Sequence, residues 1–360
     1  RLTERTTRRA RWPTAGGTAF AKVKTMEVLR LHGKDDVRIH HEPTPEPGPG
    51  EELVRITAVG LCGSDLHWYE DGGIGTSMVS EPLVLGHEMG GVVESGPRAG
   101  ERVIVEPANP CGTCEVCRAG NGNLCPDVKF CGHAPIHGGL REYMAWPQRL
   151  LLPAPDSIAG DHIALVEPLG IGLHAIDLGH FKAGMSAGVF GAGPIGLFII
   201  RALKAMGASR VVATDAEPHR VEAALVSGAD EAYLTPVDGQ PDGIDDLAKV
   251  DVGFEAAGED AALESACITA KLGGRVVVVG IPPRTNHTFA ATEARRKGLT
   301  MAWSRRMKAI HMLRAIEMAD HGIVSLDDMI SATYPLAEGA QAFDDLVARN
   351  GLKIVVKPTV

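Results

Sequence analysis

Cys111, Cys114, Cys117 and Cys125 spell Cys-x2-Cys-x2-Cys-x7-Cys, four thiolates within fifteen residues. That spacing lets them close tetrahedrally around one zinc ion, and four sulfurs leave no position for a substrate, so the site reads as structural. A second set of donors is dispersed: Cys62 and His67 in Cys62-Gly-Ser-Asp-Leu-His67, His87 and Glu88 after Gly86, and Glu167 in Glu167-Pro-Leu. Thiolate, imidazole and carboxylate are all zinc ligands, and three of them with one position open make a catalytic site. Zinc lowers the pKa of bound water from 15.7 to about 7, and the same field acidifies an alcohol. A third set is Gly191-Ala-Gly-Pro-Ile-Gly196, in which Pro194 and Ile195 open the following helix. Here Gly191 makes a tight turn, Gly193 lets the backbone approach a pyrophosphate, and Gly196 lets helix and strand pack closely. Asp215 follows nineteen residues past Gly196, where a carboxylate accepts ribose hydroxyls. The next residue, Ala216, offers no charge to a 2′-phosphate, so the pattern favours NAD. Arg220 either covers the adenine or lies on a solvated helix face.

The elements that must hold these groups follow from hydrophobic periodicity. From Met26 to about Trp146, short apolar runs at 27–31, 37–40 and 53–59 are separated by Gly/Pro turns, the mark of a mainly β region. From about Met185 the strand-like runs 187–190, 211–214, 252–256 and 276–280 alternate with helical stretches such as 195–206. That alternation implies βαβ units and a parallel sheet. Helices are expected at 308–320 and 337–349, with a last strand at 353–357. The fold class is therefore α/β: a Rossmann-type, doubly wound parallel-sheet domain inserted into a mainly β domain built from both ends of the chain.

A chain of 360 residues exceeds what one core usually serves, so two domains are expected. The net charge of −9 argues against nucleic acid as a partner and leaves small molecules. No run of eighteen apolar residues appears, so no membrane span is expected. Cysteines at metal-ligand spacing in a long chain point to a reducing compartment, the cytoplasm, and leave Cys131 and Cys267 without a role. Residues 1–25 carry Arg1, Arg5, Arg8, Arg9 and Arg11 against Glu4. They read as a tail, either a leader of transit-peptide composition or a start upstream of a natural beginning at Met26.

Gly60-Leu-Cys-Gly-Ser-Asp-Leu-His67, Val84-Leu-Gly-His-Glu88, the four-cysteine run, Val166-Glu-Pro-Leu-Gly170, the glycine fingerprint and Gly351-Leu-Lys-Ile-Val355 together carry a resemblance. Over 26–358 the chain resembles the zinc-dependent medium-chain dehydrogenase/reductases, and within them the polyol branch typified by sorbitol (L-iditol 2-) dehydrogenase. The resemblance implies a GroES-like catalytic domain over 26–168 with a structural zinc lobe at 108–128. It further implies an NAD-binding domain over 169–304 and a return to the catalytic domain over 305–360. By the same resemblance, Cys62, His87 and Glu88 surround a catalytic zinc, and Glu167 either binds that zinc or holds its water. Ser64 and His67 match positions that carry the alcohol proton outward, although His67 also reads as a plain surface histidine. Trp68 and Phe130 match pocket positions and read equally as packed core. Arg305 matches a substrate-contacting arginine, whereas Arg306 stands where the family has tyrosine.

Two further departures are a turn at 95–100 shorter than usual and a cysteine lobe that is whole, where the mammalian-type polyol enzymes have an incomplete one. The implied activity is NAD-dependent oxidation of a secondary hydroxyl of a polyol such as sorbitol, L-iditol or xylitol to a ketose. It would use two zinc ions per chain, in a homo-oligomer of four or two subunits. Two rivals stand beside it. One is a sugar-acid dehydrogenase of the L-idonate 5-dehydrogenase kind, motivated by Arg305 and Arg306. The other is a catalytically silent NAD-binding structural protein.

Overall fold

The computed structural model describes residues 25–236, 249–283 and 286–359; apart from Thr25, the arginine-rich segment 1–25 lies outside the described residues. Six parallel strands form one sheet in the spatial order Glu231–Leu234, Arg210–Asp215, Ser186–Phe190, Val250–Glu255, Ala270–Val278 and Thr300–Trp303. All five residues of Ser186–Phe190 are buried, as a central strand covered by helices on both faces requires. Each fully buried Val, Leu, Ile or Phe side chain contributes about 1.5–3 kcal/mol of hydrophobic stabilisation. Strand order reverses between Ser186–Phe190 and Val250–Glu255, which opens a crevice at their carboxyl ends, the ligand position of doubly wound folds. The strands expected at 252–256 and 276–280 end earlier, at Glu255 and Val278. The Glu255 carboxylate accepts the Ala257 and Gly258 N–H groups at 2.7 and 2.6 Å, which turns the chain out of the sheet.

The second sheet draws on both ends of the chain. Its path runs Leu151–Pro153, Arg102–Val105, Glu88–Val93, Glu51–Gly60, Lys353–Lys357 and Ile330–Pro335, with Tyr143–Pro147 also paired to Glu51–Gly60. Val355 and Val356 pair antiparallel with Gly60 and Val59, so the last strand lies immediately beside the Cys62 motif. Helix Gly63–Asp71 interrupts this β region, and the hydrophobic pattern alone gave no sign of it. Its start is a capping box: Cys62 is the N-cap, and Asp65, at the third helical position, accepts the Cys62 N–H at 3.0 Å.

Helix Val166–Leu178 ties the two sheets together, and ten of its thirteen residues are buried. Two glycines let neighbours approach: a β-carbon on Gly170 would strike the Met307 sulfur, and one on Gly172 would press on Ile199. Among the described residues no helix is long and apolar enough to cross a membrane.

Candidate active site

A cavity of about 370 Å³ opens between the parallel sheet and the mainly β region. Cys62, Ser64, His67, Trp68, His87 and Phe130 line one side. Glu167, Ile195, Arg305 and Arg306 complete the predicted residues that reach it. The donors sit at the ends of regular elements: Cys62 caps a helix, Glu88 opens strand Glu88–Val93, and Glu167 lies in the first turn of Val166–Leu178. Donor atoms of Cys62, His87 and Glu88 all lie within 4.8 Å of one another.

Two groups that brace this cluster escaped the sequence reading. Asp65 is fully buried; its Oδ1 accepts the Gly86 N–H at 3.2 Å and lies 3.8 Å from His87 Nδ1. The imidazole is thereby turned so that Nε2 faces Ser64 Oγ at 3.5 Å. Spacing could have found Asp65, because an acid three residues past an N-cap is a helix-start signal. Lys353, 2% exposed, donates to Glu88 Oε2 at 2.6 Å and to the Leu61 carbonyl at 2.9 Å. Burial works against its charge, yet Glu88 and Cys62 outweigh burial and raise its pKa. The signal available was a lysine at each end of the apolar run 354–356, of which only Lys353, at the strand start, is buried.

The electrostatics suit a cation. Burial, with Glu88 second, pushes the Cys62 thiol up to about 12. Burial also holds Glu167 well above the usual carboxylate range, opposed by His87 and reinforced by Glu88 and Cys62. Glu88 Oε1 is buried and has no hydrogen-bond partner among the described residues. A divalent ion would reverse these preferences, since a coordinating thiol is deprotonated outright. The donor set therefore fits zinc.

His67 is no plain surface residue: its side chain is 21% exposed, lines the cavity and bonds Asp71 Oδ2 through Nδ1 at 3.1 Å. Trp68 is both core and wall, 1% exposed with its ring edge-on to His133 at 5.2 Å. Phe130 lies 5.3 Å from the His87 ring. His133, which the sequence did not single out, also lines the cavity and is held below the usual imidazole range by burial, Arg306 and Arg305.

The cysteine lobe is a separate, closed cluster of Cys111, Cys114, Cys117 and Cys125. Cys111 and Cys117 sulfurs are 3.9 Å apart, as are those of Cys114 and Cys125. Tetrahedral zinc with bonds of about 2.3 Å needs edges of about 3.8 Å, so four sulfurs at this spacing fit the ion. Backbone N–H groups of Cys114 and Cys117 point at the sulfurs of Cys111 and Cys114, each at 3.4 Å. Hydrogen bonds from the backbone N–H groups of Thr113 and Cys114 draw the Cys111 thiol down to about 6, towards the thiolate a metal takes.

The glycine fingerprint joins strand Ser186–Phe190 to helix Pro194–Ala205. Gly191 has φ +107°, and a β-carbon there would meet the Ala257 nitrogen at 2.7 Å. One on Gly196 would collide with the Gly191 carbonyl. At Gly193, the N-cap, a β-carbon would fill open space, with Arg220 Nη1 the nearest atom at 3.9 Å. That is a cradle for a diphosphate at a helix N-terminus. Asp215 ends its strand, and its oxygens accept the Ala192 and Glu217 N–H groups at 2.7 and 2.9 Å. Each oxygen keeps a lone pair for a ribose hydroxyl. Arg220 does not lie on a solvated face: its Nε is buried and has no partner among the described residues, and burial, against the pull of Asp215, lowers its pKa.

Comparison with known proteins agrees. Residues 48–156 match the alcohol dehydrogenase GroES-like domain, and residues 194–320 match the zinc-binding dehydrogenase domain. Sorbitol dehydrogenase of Bacillus subtilis (strain 168) is 33% identical over 354 residues, which cover 93% of this chain and 98% of that one. Sorbitol dehydrogenase of Homo sapiens is 33% identical over 359 residues, 94% of this chain and 97% of that one. The crystal structure of L-idonate 5-dehydrogenase from Escherichia coli K-12 superposes with a TM-score of 0.84 at 27% identity, covering 93% of this chain and 98% of its own. With a nucleotide cradle and a thiolate-imidazole-carboxylate cluster around one cavity, and a closed four-cysteine lobe beside it, this chain belongs to the zinc-dependent medium-chain dehydrogenase/reductases, in their polyol branch.

Proposed function

We propose that the protein oxidises a secondary hydroxyl of a polyol of the sorbitol, L-iditol or xylitol kind to the ketose, with NAD as hydride acceptor. One observation carries this reading. Cys62 and His87, whose donor atoms lie within 4.8 Å of each other and of Glu88, share a single cavity with Ile195 of the glycine fingerprint and with Ala256 and Ala257.

Cys62 and His87 would hold the catalytic zinc together with one carboxylate. Lys353 occupies Glu88 Oε2, whereas Glu167 lines the cavity and makes no hydrogen bond among the described residues. We therefore assign Glu167 to the metal or its water, with Glu88 behind it as a charge partner of Lys353. When bound, zinc supplies Lewis acidity and NAD supplies the hydride acceptor. Ser64 takes the hydroxyl proton at Oγ, and His67, steadied by Asp71, passes it to solvent. Glu167, Trp68 and Phe130 line the pocket around the reacting carbon.

The nucleotide lies over Gly191, Gly193 and Gly196, its diphosphate at the helix that Pro194 and Ile195 open, with Arg220 beside the cradle and Asp215 at the ribose. The Asp215 carboxylate would repel a 2′-phosphate, which selects NAD over NADP. The four cysteines hold a second, structural zinc. A reducing cytoplasm suits seven cysteines, none of them in a disulfide. A homo-oligomer is expected because the parallel sheet ends in the edge strand Thr300–Trp303, with Trp303 60% exposed and Leu272 81% exposed on the neighbouring strand.

Initial rates of NADH formation across polyols and simple alcohols, on protein of measured zinc content, test the reading. The expected result is polyol-dependent NADH with about two zinc ions per chain, the two sites each filled. About one zinc and no NADH would overturn it in favour of the silent structural protein.

A further inference from the structure

Arg306 stands in the cavity wall and, among the described residues, has no carboxylate partner; the Cys125 thiol is the acidic group that acts on it. Its guanidinium lies 5.0 Å from the centroid of the Phe130 ring, and one N–H reaches the Asn123 carbonyl at 3.3 Å. A guanidinium carries five N–H donors. Among the described residues the other four find no protein acceptor, and neither Arg305 nor Arg306 has a carboxylate partner. Burial, with Arg305 beside it, lowers the Arg306 pKa to about 10. Ser304, next along the chain, has a buried Oγ with no partner among the described residues, and His133, also in the wall, is drawn below the usual imidazole range by burial.

The acids lining the cavity, Cys62 and Glu167, belong to the metal end. The cavity thus holds two kinds of group around Phe130: the His87 ring of the cation-binding donor set at 5.3 Å, and the Arg306 guanidinium at 5.0 Å. Both groups touch one aromatic ring and line one cavity of about 370 Å³, so a single sugar-sized ligand can meet both. A half-buried charge without a counter-ion is costly until a ligand supplies one. The planar fork of arginine suits a carboxylate or phosphate held by two hydrogen bonds.

The wall is built rather than loose. Arg306 has φ +53°, a left-handed conformation that costs about 1–3 kcal/mol for a residue other than glycine unless its surroundings hold it. Asn123, 5% exposed in the cysteine lobe, holds both ends of this turn: its Nδ2 donates to the Arg305 carbonyl at 3.0 Å, and its own carbonyl accepts from Arg306.

We propose that Arg306, with Arg305 and Ser304, forms a subsite for an anionic end group on the polyol, and that Asn123 is its positioning residue. The end group is a carboxylate or a phosphate. The proposal rests on the polyol dehydrogenase reading and narrows its substrate class.

The test measures initial rates of the zinc- and NAD-loaded enzyme on three substrates with one carbon skeleton: a hexitol, the matching hexonate and the matching hexitol phosphate. One anion should exceed the hexitol in kcat/KM by at least about tenfold, the scale of a hydrogen bond to a charged group, with the gain in KM. Which anion wins distinguishes carboxylate from phosphate. Arg306→Tyr should cut the anion-to-hexitol ratio by about tenfold or more, and Arg306→Lys should keep part of it. Asn123→Ala should raise KM for the anion by a larger factor than it lowers kcat. If Arg306→Tyr does not fold, acetate and inorganic phosphate against hexitol oxidation by the unaltered enzyme give the same information. Inhibition competitive with hexitol by one of them supports the subsite, and none by either overturns it. Equal kcat/KM for all three substrates, or an equal loss on hexitol and anion in Arg306→Tyr, overturns the subsite and leaves the dehydrogenase reading standing. NADH from none of the three overturns both.

Discussion

The cysteine lobe and the Cys62 cluster use overlapping donor chemistry, yet the chain assembles them in opposite ways. The lobe gathers four sulfurs from one short loop, partly exposed, with local N–H groups aimed at them. The Cys62 cluster takes one donor from a helix cap and two from a strand start, with Glu167 of a distant helix lining the same cavity. It then needs Lys353, 265 residues from Glu88, to balance the buried charge. A local site forms wherever its loop closes. A dispersed site forms only after both sheets are in place, so its donors depend on the fold and the fold carries the cost of their burial.

The sharpest way to break this contrast is Cys62→Ser. Turnover should fall by at least about 10³-fold, a barrier increase of about 4 kcal/mol, because a hydroxyl is a poor zinc ligand. Zinc content should drop from about two to about one per chain, while NAD affinity, read by fluorescence titration, stays within about twofold. Loss of both zinc ions would mean that the two regions are not independent.

Lys353→Met probes the brace instead of the donor. Removing one partner leaves Glu88 buried without a counter-charge, which costs about 3–5 kcal/mol in urea unfolding. Adding Glu88→Gln should recover more than half of that loss. A single variant as stable as the parent would show that the ion pair contributes nothing.

Glu106 separates the regions along the chain, directly after strand Arg102–Val105 and before the lobe strand Ala108–Asn109. Its Oε1 accepts the Ala108 N–H at 3.1 Å, its Oε2 is buried without a partner, and burial raises its pKa to about 7. A folded pKa above the unfolded value means that the fold favours the protonated acid. The stability it contributes is whole below about pH 4.5 and is lost as pH rises through about 7, on the order of 3 kcal/mol in all. Glu106→Gln keeps the acceptor without the proton, so its unfolding midpoint should match the parent near pH 5 and exceed it increasingly towards pH 8. Parallel pH profiles would place water at that carboxylate.

The same contrast explains what could be read from sequence. Sequence spacing alone fixes a loop site, and the four cysteines and the glycine fingerprint were legible for that reason. Strand periodicity placed the parallel sheet, because its central strand is buried throughout and flanked by short apolar runs. The groups that brace the dispersed site were mostly illegible. Lys353 reaches Glu88 only through the pairing of the last strand with Glu51–Gly60, and no local pattern encodes that pairing. Asn123 looks like an ordinary loop residue until the turn at Arg305 and Arg306 folds onto it. Asp65 carried a signal in its capping-box spacing, but that signal speaks of a helix start and not of His87.

The smallest expected stability effect belongs to the region with the most conspicuous motif. Cys114→Ser should release the lobe zinc and cost about 2 kcal/mol, because the loop is short, partly exposed and bonded mainly to itself. Metal analysis should again show about one zinc per chain, now with the catalytic ion retained. The consequence for function should exceed the consequence for stability. Loosening the lobe frees Asn123 from the carbonyl of Arg305 and the guanidinium of Arg306, so the wall beside Phe130 loses its support. KM for the polyol should rise by several-fold while KM for NAD holds, because the glycine cradle lies on the parallel sheet, outside the lobe. A variant that keeps both KM values with only about one zinc ion per chain would show that the lobe needs no metal to hold the wall. A variant that loses NAD binding would show that the lobe supports both sheets and that the division between local and dispersed sites does not hold.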